Sequence, residues 1–377
     1  MSDPAGSILT PDGWIEGTVD LAGGRIAAVR GRPRDSARPP YVLPGFVDLH
    51  VHGGGGSDCM GGEASLRRML RYHASHGTVA MAPTTVTAGA NAVASSLADI
   101  AAVKALPLDG EPVVLGAHLE GPFINPAKLG AQAPVALAGD PALADRWATD
   151  FPIVVATVAP EIAGGMATVR ALARHRCRVQ IGHSIAGDAT CAEAFACGCT
   201  GFTHLFNAMS GVHHREQGVA SYALAHADYA ELICDLCHVD ATVMLAARRA
   251  IPNLYAITDA STSAGLPDGE HLFAGRRVFK SGSRIVLEDG ATLAGSAITM
   301  ADALRNLVRI GVPLAEASLM TATRQADYLG VPDLGRIVPG ARACLVRLDS
   351  DLNVTDVWVD GVAIPAAFTL PGGQACG

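Results

Sequence analysis

Five histidines and two carboxylates in this chain each close an apolar run and precede a glycine, a serine or a loop: His50, His52, Glu120, His183, His204, His238 and Asp259. The densest is His50-Val-His52, at the end of Pro44-Gly-Phe-Val-Asp-Leu-His-Val-His-Gly53. Side chains at i and i+2 of a strand point to one face, so this spacing sets two imidazoles side by side where the strand meets its loop. A divalent metal needs such a pair. An isolated His-x-His also fits two hydrogen-bonded core histidines, but imidazoles and acids at the ends of several strands point to a metal site. Glu120 is the best-placed anionic ligand. Nitrogen and oxygen ligands suit Zn2+ first and Fe(II) second. Three protein ligands leave a position for water, whose pKa such an ion lowers to roughly 7. Asp259 then fits a general acid/base.

Those residues need a scaffold that gathers strand ends. Buried-strand patterns run over 45–52, 77–85, 113–120, 153–160, 178–184, 200–207, 232–238 and 254–259. Alanine-rich helical segments such as 90–105, 187–198 and 241–251 fill the gaps. This alternation predicts an α/β fold, a (β/α)8 TIM-like barrel, whose active site lies at the C-terminal strand ends. A hairpin-like insert (271–290) and helices over 298–310 and 314–329 follow. Residues 7–31 read as short antiparallel strands, and the stretch 343–361 has the same character. The two ends, 1–43 and 335–377, are expected to pair into a small β-sandwich domain bracketing a barrel over 44–334.

The chain has 377 residues, 49% of them hydrophobic, and a net charge of −8 with no basic run, which excludes nonspecific nucleic-acid binding. The opening Met-Ser-Asp-Pro-Ala-Gly lacks the marks of a signal peptide, and no apolar stretch is long enough for a membrane span. Nine cysteines, an odd number, read as reduced cytoplasmic thiols. Cys234-Asp-Leu-Cys237 has no second pair at zinc-finger spacing. The three lysines, Lys104, Lys128 and Lys280, fall on a helix, a loop and the insert. A carboxylated lysine bridging two ions is therefore not expected.

The first-strand block resembles that of the amidohydrolase superfamily. Further blocks are Gly116-Ala-His-Leu-Glu-Gly-Pro-Phe-Ile-Asn125, Gly182-His-Ser184, Thr203-His-Leu-Phe-Asn-Ala-Met209, Thr258-Asp-Ala260 and Leu293-Ala-Gly-Ser-Ala-Ile-Thr-Met300. In this order they are similar to the N-acetylglucosamine-6-phosphate deacetylase family. The resemblance implies Glu120, His183 and His204 as ligands of one metal and His50 and His52 as the pair for a second, with one or two ions per chain. It also implies Asp259 as the acid/base next to the metal. Asn207, Ala208, His238 and Arg215 would hold a phosphorylated N-acetylhexosamine, with Arg215 reaching across a homodimer. The implied reaction is hydrolysis of the acetamide of N-acetylglucosamine 6-phosphate.

Two departures bear on the substrate. Gln132 stands where some members carry a histidine near the scissile carbonyl; its amide can donate a hydrogen bond but carries no charge. Ser210-Gly-Val-His-His214 resembles loops of N-acetylgalactosamine-6-phosphate deacetylases, so the galacto epimer is the alternative. His213 and His214 themselves read as exposed. His118 shares the face of Glu120 and reads as a supporting residue rather than a ligand. A cyclic-amide hydrolase would need the absent lysine, a deaminase does not explain Leu119-Glu-Gly-Pro122, and a non-catalytic assembly relative would have lost ligands.

Overall fold

The computed structural model describes residues 4–364; the expected domain segments 1–3 and 365–377 lie outside the described residues. Four strands open the chain: β1 (Ala5–Thr10), β2 (Gly13–Ala22), β3 (Arg25–Arg34) and β4 (Tyr41–Pro44). Nine parallel-paired segments follow: β5 (Phe46–Val51), β6 (Thr78–Pro83), β7 (Val113–Val114), β8 (Ala117–Glu120), β9 (Ile153–Val158), β10 (Arg178–Ile181), β11 (Cys199–Phe202), β12 (Tyr229–Ile233) and β13 (Asn253–Ile257). They match the eight predicted strands, the third being split into β7 and β8. Gly116 (φ +149) sits at the split, where a Cβ would fall 2.4 Å from the carbonyl oxygen of Pro152, so only glycine allows this close approach.

These strands are buried on both faces, β5 and β6 along their whole length, which explains their continuous apolar runs. Their hydrogen bonds form three arcs: β5-β6-β7, β8-β9-β10-β11 and β12-β13. Backbone bonds link one arc to the next. Thr85 N donates to His118 O (3.0 Å) and Leu205 N to Glu231 O (2.9 Å). Asp259 N donates to His50 O (2.9 Å), and His52 N to Ala260 O (3.0 Å). Helices such as Glu63–Ser75, Ala90–Ala105 and Ala241–Ala250 occupy the connections.

The insert is a three-stranded antiparallel meander, β14 (Gly269–Phe273), β15 (Arg276–Ser281) and β16 (Arg284–Leu287). Its Phe273, Val278, Ile285 and Leu287 pack with Val86 and Ala294 in a satellite cluster. The helix Met300–Arg309 follows, started by a capping box between Thr299 and Asp302. The predicted 314–329 helix is interrupted by a π-helical turn at Leu319–Thr323.

The last strands, β17 (Leu345–Leu348), β18 (Val354–Val359) and β19 (Val362–Ile364), return to the first four. The order is β19-β18-β17-β4-β1-β2-β3, so both ends of the chain share one continuous seven-stranded sheet. The strands expected to pair across the two ends of the chain are thus hydrogen-bonded in one sheet. Ile8, Val19, Ile26, Val42, Leu345 and Trp358 give this sheet its own core. No helix among the described residues is long and apolar enough to cross a membrane.

Candidate active site

His183, His204 and Asp259 each sit two residues past the end of a strand with left-handed backbone, at φ +48, +30 and +48. Non-glycine residues seldom adopt this conformation, and it turns each side chain back over the strand ends. Glu120 is the last residue of β8, and His50 and His52 flank the end of β5. Six residues from five strands thus converge, which no local rule of sequence would require.

Glu120 lies at the centre. Its Oε1 is 3.1 Å from His183 Nε2, 3.0 Å from His204 Nε2 and 3.4 Å from His50 Nε2. Its Oε2 is 3.2 Å from His52 Nε2 and accepts a hydrogen bond from the Gln132 amide. Asp259 Oδ1 is 3.3 Å from His52 Nε2 and 3.7 Å from His50 Nε2. The ring nitrogens also crowd one another, His183 to His204 at 3.1 Å and His50 to His52 at 3.2 Å. Glu120/His183/His204 and His50/His52/Asp259 are each a set of ligand atoms within 4.8 Å of one another.

The far side of the rings says what the near side can hold. His183 Nδ1 faces Lys128 O (2.7 Å) and His52 Nδ1 faces Thr84 O (3.0 Å). A carbonyl only accepts, so these Nδ1 atoms carry the proton, and in a neutral ring each Nε2 lone pair points inward. His50 Nδ1 is likewise engaged, with Glu231 Oε2 at 2.9 Å. His204 Nδ1 is buried without a hydrogen-bond partner. Four imidazole nitrogens and the oxygens of two carboxylates converge, and with the rings neutral they form a set that fits divalent cations. Burial opposes ionisation of Glu120, but His50 and the bonds from His183 and His204 outweigh it and hold its pKa well below the usual range. For Asp259, burial is likewise overcome, by His50 and His52, and the carboxyl titrates at about 2. Both acids are anionic, as ligand and proton acceptor must be.

His118 does not join the Glu120 set. Its Nδ1 meets Leu49 O (2.9 Å) and its Nε2 meets Thr157 Oγ1 (2.8 Å), leaving neither nitrogen toward Glu120. Two of the three lysines are engaged elsewhere: Lys104 Nζ binds the carbonyls of Val114 and Leu115, and Lys280 pairs with Asp268. None of the metal-ligating groups among the described residues contains a cysteine.

A cleft of about 270 Å³ opens on the cluster and is lined by Gln132, Asn207, Ala208 and His238, besides the ligands. His238 was expected at a strand end, and here the expectation is corrected. β12 stops at Ile233, and His238 rides on the following loop. Asp235 holds it there, accepting bonds from the backbone N–H of Cys237 and His238 and from His238 Nδ1 at 2.6 Å. Burial works against a charged His238, but this carboxylate raises its pKa above the ordinary value. Asn207 turns its amide to the carbonyls of His204 and Leu205. Arg215 is not brought in. It is exposed on the loop after Met209 and does not line the cleft.

The sequence reading missed three supporting acids. Glu231, Asp48 and Asp235 are buried. Glu231 and Asp48 interrupt apolar strands, in Ala230-Glu-Leu232 and Val47-Asp-Leu49. A charge inside a strand buried on both faces was the available signal. Asp48 accepts bonds from Thr258 Oγ1 (2.5 Å) and His50 N (3.2 Å), tying β5 to the approach to Asp259.

The family model described as the Amidohydrolase family matches residues 41–364. The chain belongs to the amidohydrolase family. It is 35% identical to N-acetylgalactosamine-6-phosphate deacetylase of Escherichia coli O157:H7, over 94% of this chain and 96% of that one. It is 34% identical to N-acetylglucosamine-6-phosphate deacetylase of Vibrio furnissii, over 89% and 86%. Among solved structures, it is similar to a variant of N-acetyl-D-glucosamine-6-phosphate deacetylase from Mycobacterium smegmatis in complex with N-acetyl-D-glucosamine-6-phosphate. That match has a TM-score of 0.88 and 30% identity, covering 95% and 97% of the two chains. The amidohydrolase cluster described above therefore sits in a chain whose relatives carry deacetylase names.

Proposed function

We propose that this amidohydrolase removes the acetyl group of N-acetylglucosamine 6-phosphate, giving glucosamine 6-phosphate and acetate. The observation that carries this reading is the convergence of Glu120, His183 and His204 beside Asp259 on the floor of a cleft, in a chain whose deacetylase relatives match it over nearly its whole length. We read the three arcs, joined by backbone bonds, as one (β/α)8 barrel over 44–334, bracketed by a β-domain from 1–43 and 335–377.

Glu120, His183 and His204 would hold one ion; His50, His52 and Asp259 would complete a site for a second, and the Glu120 carboxylate lies beside both sets. Zinc is the ion of first choice for this donor set, with Fe(II) the alternative. Such an ion supplies Lewis acidity at the acetamide oxygen and lowers the pKa of water to roughly 7. Asp259 takes a proton from the attacking water as the oxygen–carbon bond forms, then passes it to the amine nitrogen as the carbon–nitrogen bond breaks. Surrounded by imidazoles, its carboxyl is deprotonated, the state a proton acceptor must start from. Gln132 is held by Glu120 and by Thr87 N (2.7 Å), so its amide is oriented at the cleft edge to bind the substrate. His238, Asn207 and Ala208 line the part of the cleft assigned to the sugar phosphate.

Arg215 would complete the phosphate site from a neighbouring copy in a homodimer; its exposure on a loop outside its own cleft supports this. A guanidinium pairs with two phosphate oxygens at once. Free thiols at all eight described cysteines agree with a cytoplasmic setting. The galacto epimer is the second reading, favoured by the 35% match to the E. coli enzyme of that name. Metal analysis, with acetate release measured from both 6-phosphates, tests the proposal. Bound metal with no acetate from either epimer would refute it.

A further inference from the structure

Next to the catalytic cleft lies a second cavity of about 480 Å³ that the reaction just described does not use. Met60, Val86, Ala88 and Val135 make it largely apolar, and Asp58 stands at its edge. It shares two residues with the cleft, His52 and Phe273. These two pack edge to face at 5.6 Å where the two spaces adjoin. His52 is anchored by Thr84 O, and Phe273 by the satellite cluster that includes Val86.

The order of the strands places this cavity. Val86 and Ala88 follow β6, whereas Asn207 and His238 follow β11 and β12, on the far side in the order of bonded strands. An amide is planar and sends its two substituents in opposite directions. With the sugar on nitrogen held near Asn207 and His238, and the carbonyl over Glu120, the carbonyl's other substituent points to His52 and Phe273. An acetyl methyl would end beside these rings, and a longer chain would continue past them into the second space.

We propose that this cavity is an acyl pocket, so that the enzyme also removes neutral acyl groups longer than acetyl from the same amino-sugar phosphates. The inference rests on the deacetylase reading above. The Asp58 carboxylate selects against acyl groups that carry a negative charge, and the apolar lining favours alkyl chains. Hydrolysis follows the same balance: water adds its oxygen to the acyl carbon, the carbon–nitrogen bond breaks, and one proton passes to the amine. The products are the hexosamine 6-phosphate and the longer carboxylate.

The test uses purified, metal-loaded enzyme and the N-acetyl, N-propionyl and N-butyryl forms of whichever epimer releases acetate. The free amine is followed in each case. The propionyl and butyryl compounds are expected to keep kcat/KM within about tenfold of acetyl, because a pocket that fits added methylenes penalises them little. Ala88→Phe and, separately, Val135→Trp on the exposed loop should fill the cavity. Each should lower butyryl kcat/KM by at least about fivefold while changing the acetyl value by less than about twofold. A loss beyond tenfold for the longer chains in the unmodified enzyme, or equal losses for acetyl and butyryl in both variants, overturns the acyl pocket alone. No acetate from either epimer overturns the deacetylase reading, and this inference with it.

Discussion

Glu231 takes the Nδ1 proton side of His50 at 2.9 Å, with both side chains fully buried. The same carboxylate oxygen accepts the backbone N–H of His204 at 3.1 Å, and Glu231 O accepts that of Leu205. One acid on β12 therefore aims an imidazole of the second-ion set and steadies the turn that carries a ligand of the first. Its charge survives burial because His50 lies against it, which lowers its pKa.

Glu231→Gln should therefore act on metal binding before it acts on chemistry. Residues that orient metal ligands typically contribute about 10–100-fold in affinity. A fall of that size, read by competition with a chelator and with unchanged folding by circular dichroism, is expected. Unchanged affinity would show that His50 needs no such support.

Asp259→Asn should keep the fold and the ion held by Glu120, His183 and His204 while turnover drops by on the order of 10²–10⁴, the usual contribution of a positioned acid/base. Acetate release and metal analysis of the same preparation check it. Retained turnover with that ion bound would remove Asp259 from the chemistry.

Replacing His50 and His52 together with asparagine should lower the metal content from two ions per chain toward one. Glu120, His183 and His204 remain in place for the other ion. Atomic emission analysis after dialysis gives the ratio directly.

Asp235 makes a pH prediction. With its pKa raised by Asp235, His238 stays an imidazolium above the ordinary histidine value of 6.5 and loses the charge only as pH rises through the higher folded value. In Asp235→Asn, burial is no longer offset by that carboxylate, so the charge is lost at lower pH. KM for the phosphorylated substrate should then begin its alkaline rise at lower pH than in the unmodified enzyme. Superimposable KM profiles would mean that the His238 charge does not bind the phosphate.

A stability prediction concerns the helix behind the site. Asp302→Ala removes half of the capping box, in which Asp302 Oδ2 accepts the Thr299 N–H at 2.8 Å, and should cost about 1 kcal/mol. Burial works against this carboxylate, but the Thr299 bonds lower its folded-state pKa below the ordinary 3.8. Its contribution is complete above the ordinary value and is lost as pH falls through the folded one. Urea unfolding at neutral and at acidic pH should therefore show a penalty that shrinks with acidification.

The sequence by itself determined the alternation of elements, the residues at the strand ends and the family blocks around Glu120, His183, His204 and Asp259. Apolar runs broken by a histidine or an acid are local patterns, and strand periodicity makes them readable. It could also exclude a bridging lysine, because only three lysines exist and none ends a strand. Tertiary structure decided what depends on partners distant in the chain. Glu231 meets His50 across 181 positions, and Thr258 meets Asp48 across 210. His238 left its predicted strand because Asp235 organises the loop beneath it, and the partners of His118, Leu49 and Thr157, come from distant strands. Hydrogen-bond direction is the physical reason: a ring nitrogen is a ligand only if the other nitrogen's partner, folded in from elsewhere, leaves its lone pair pointing inward.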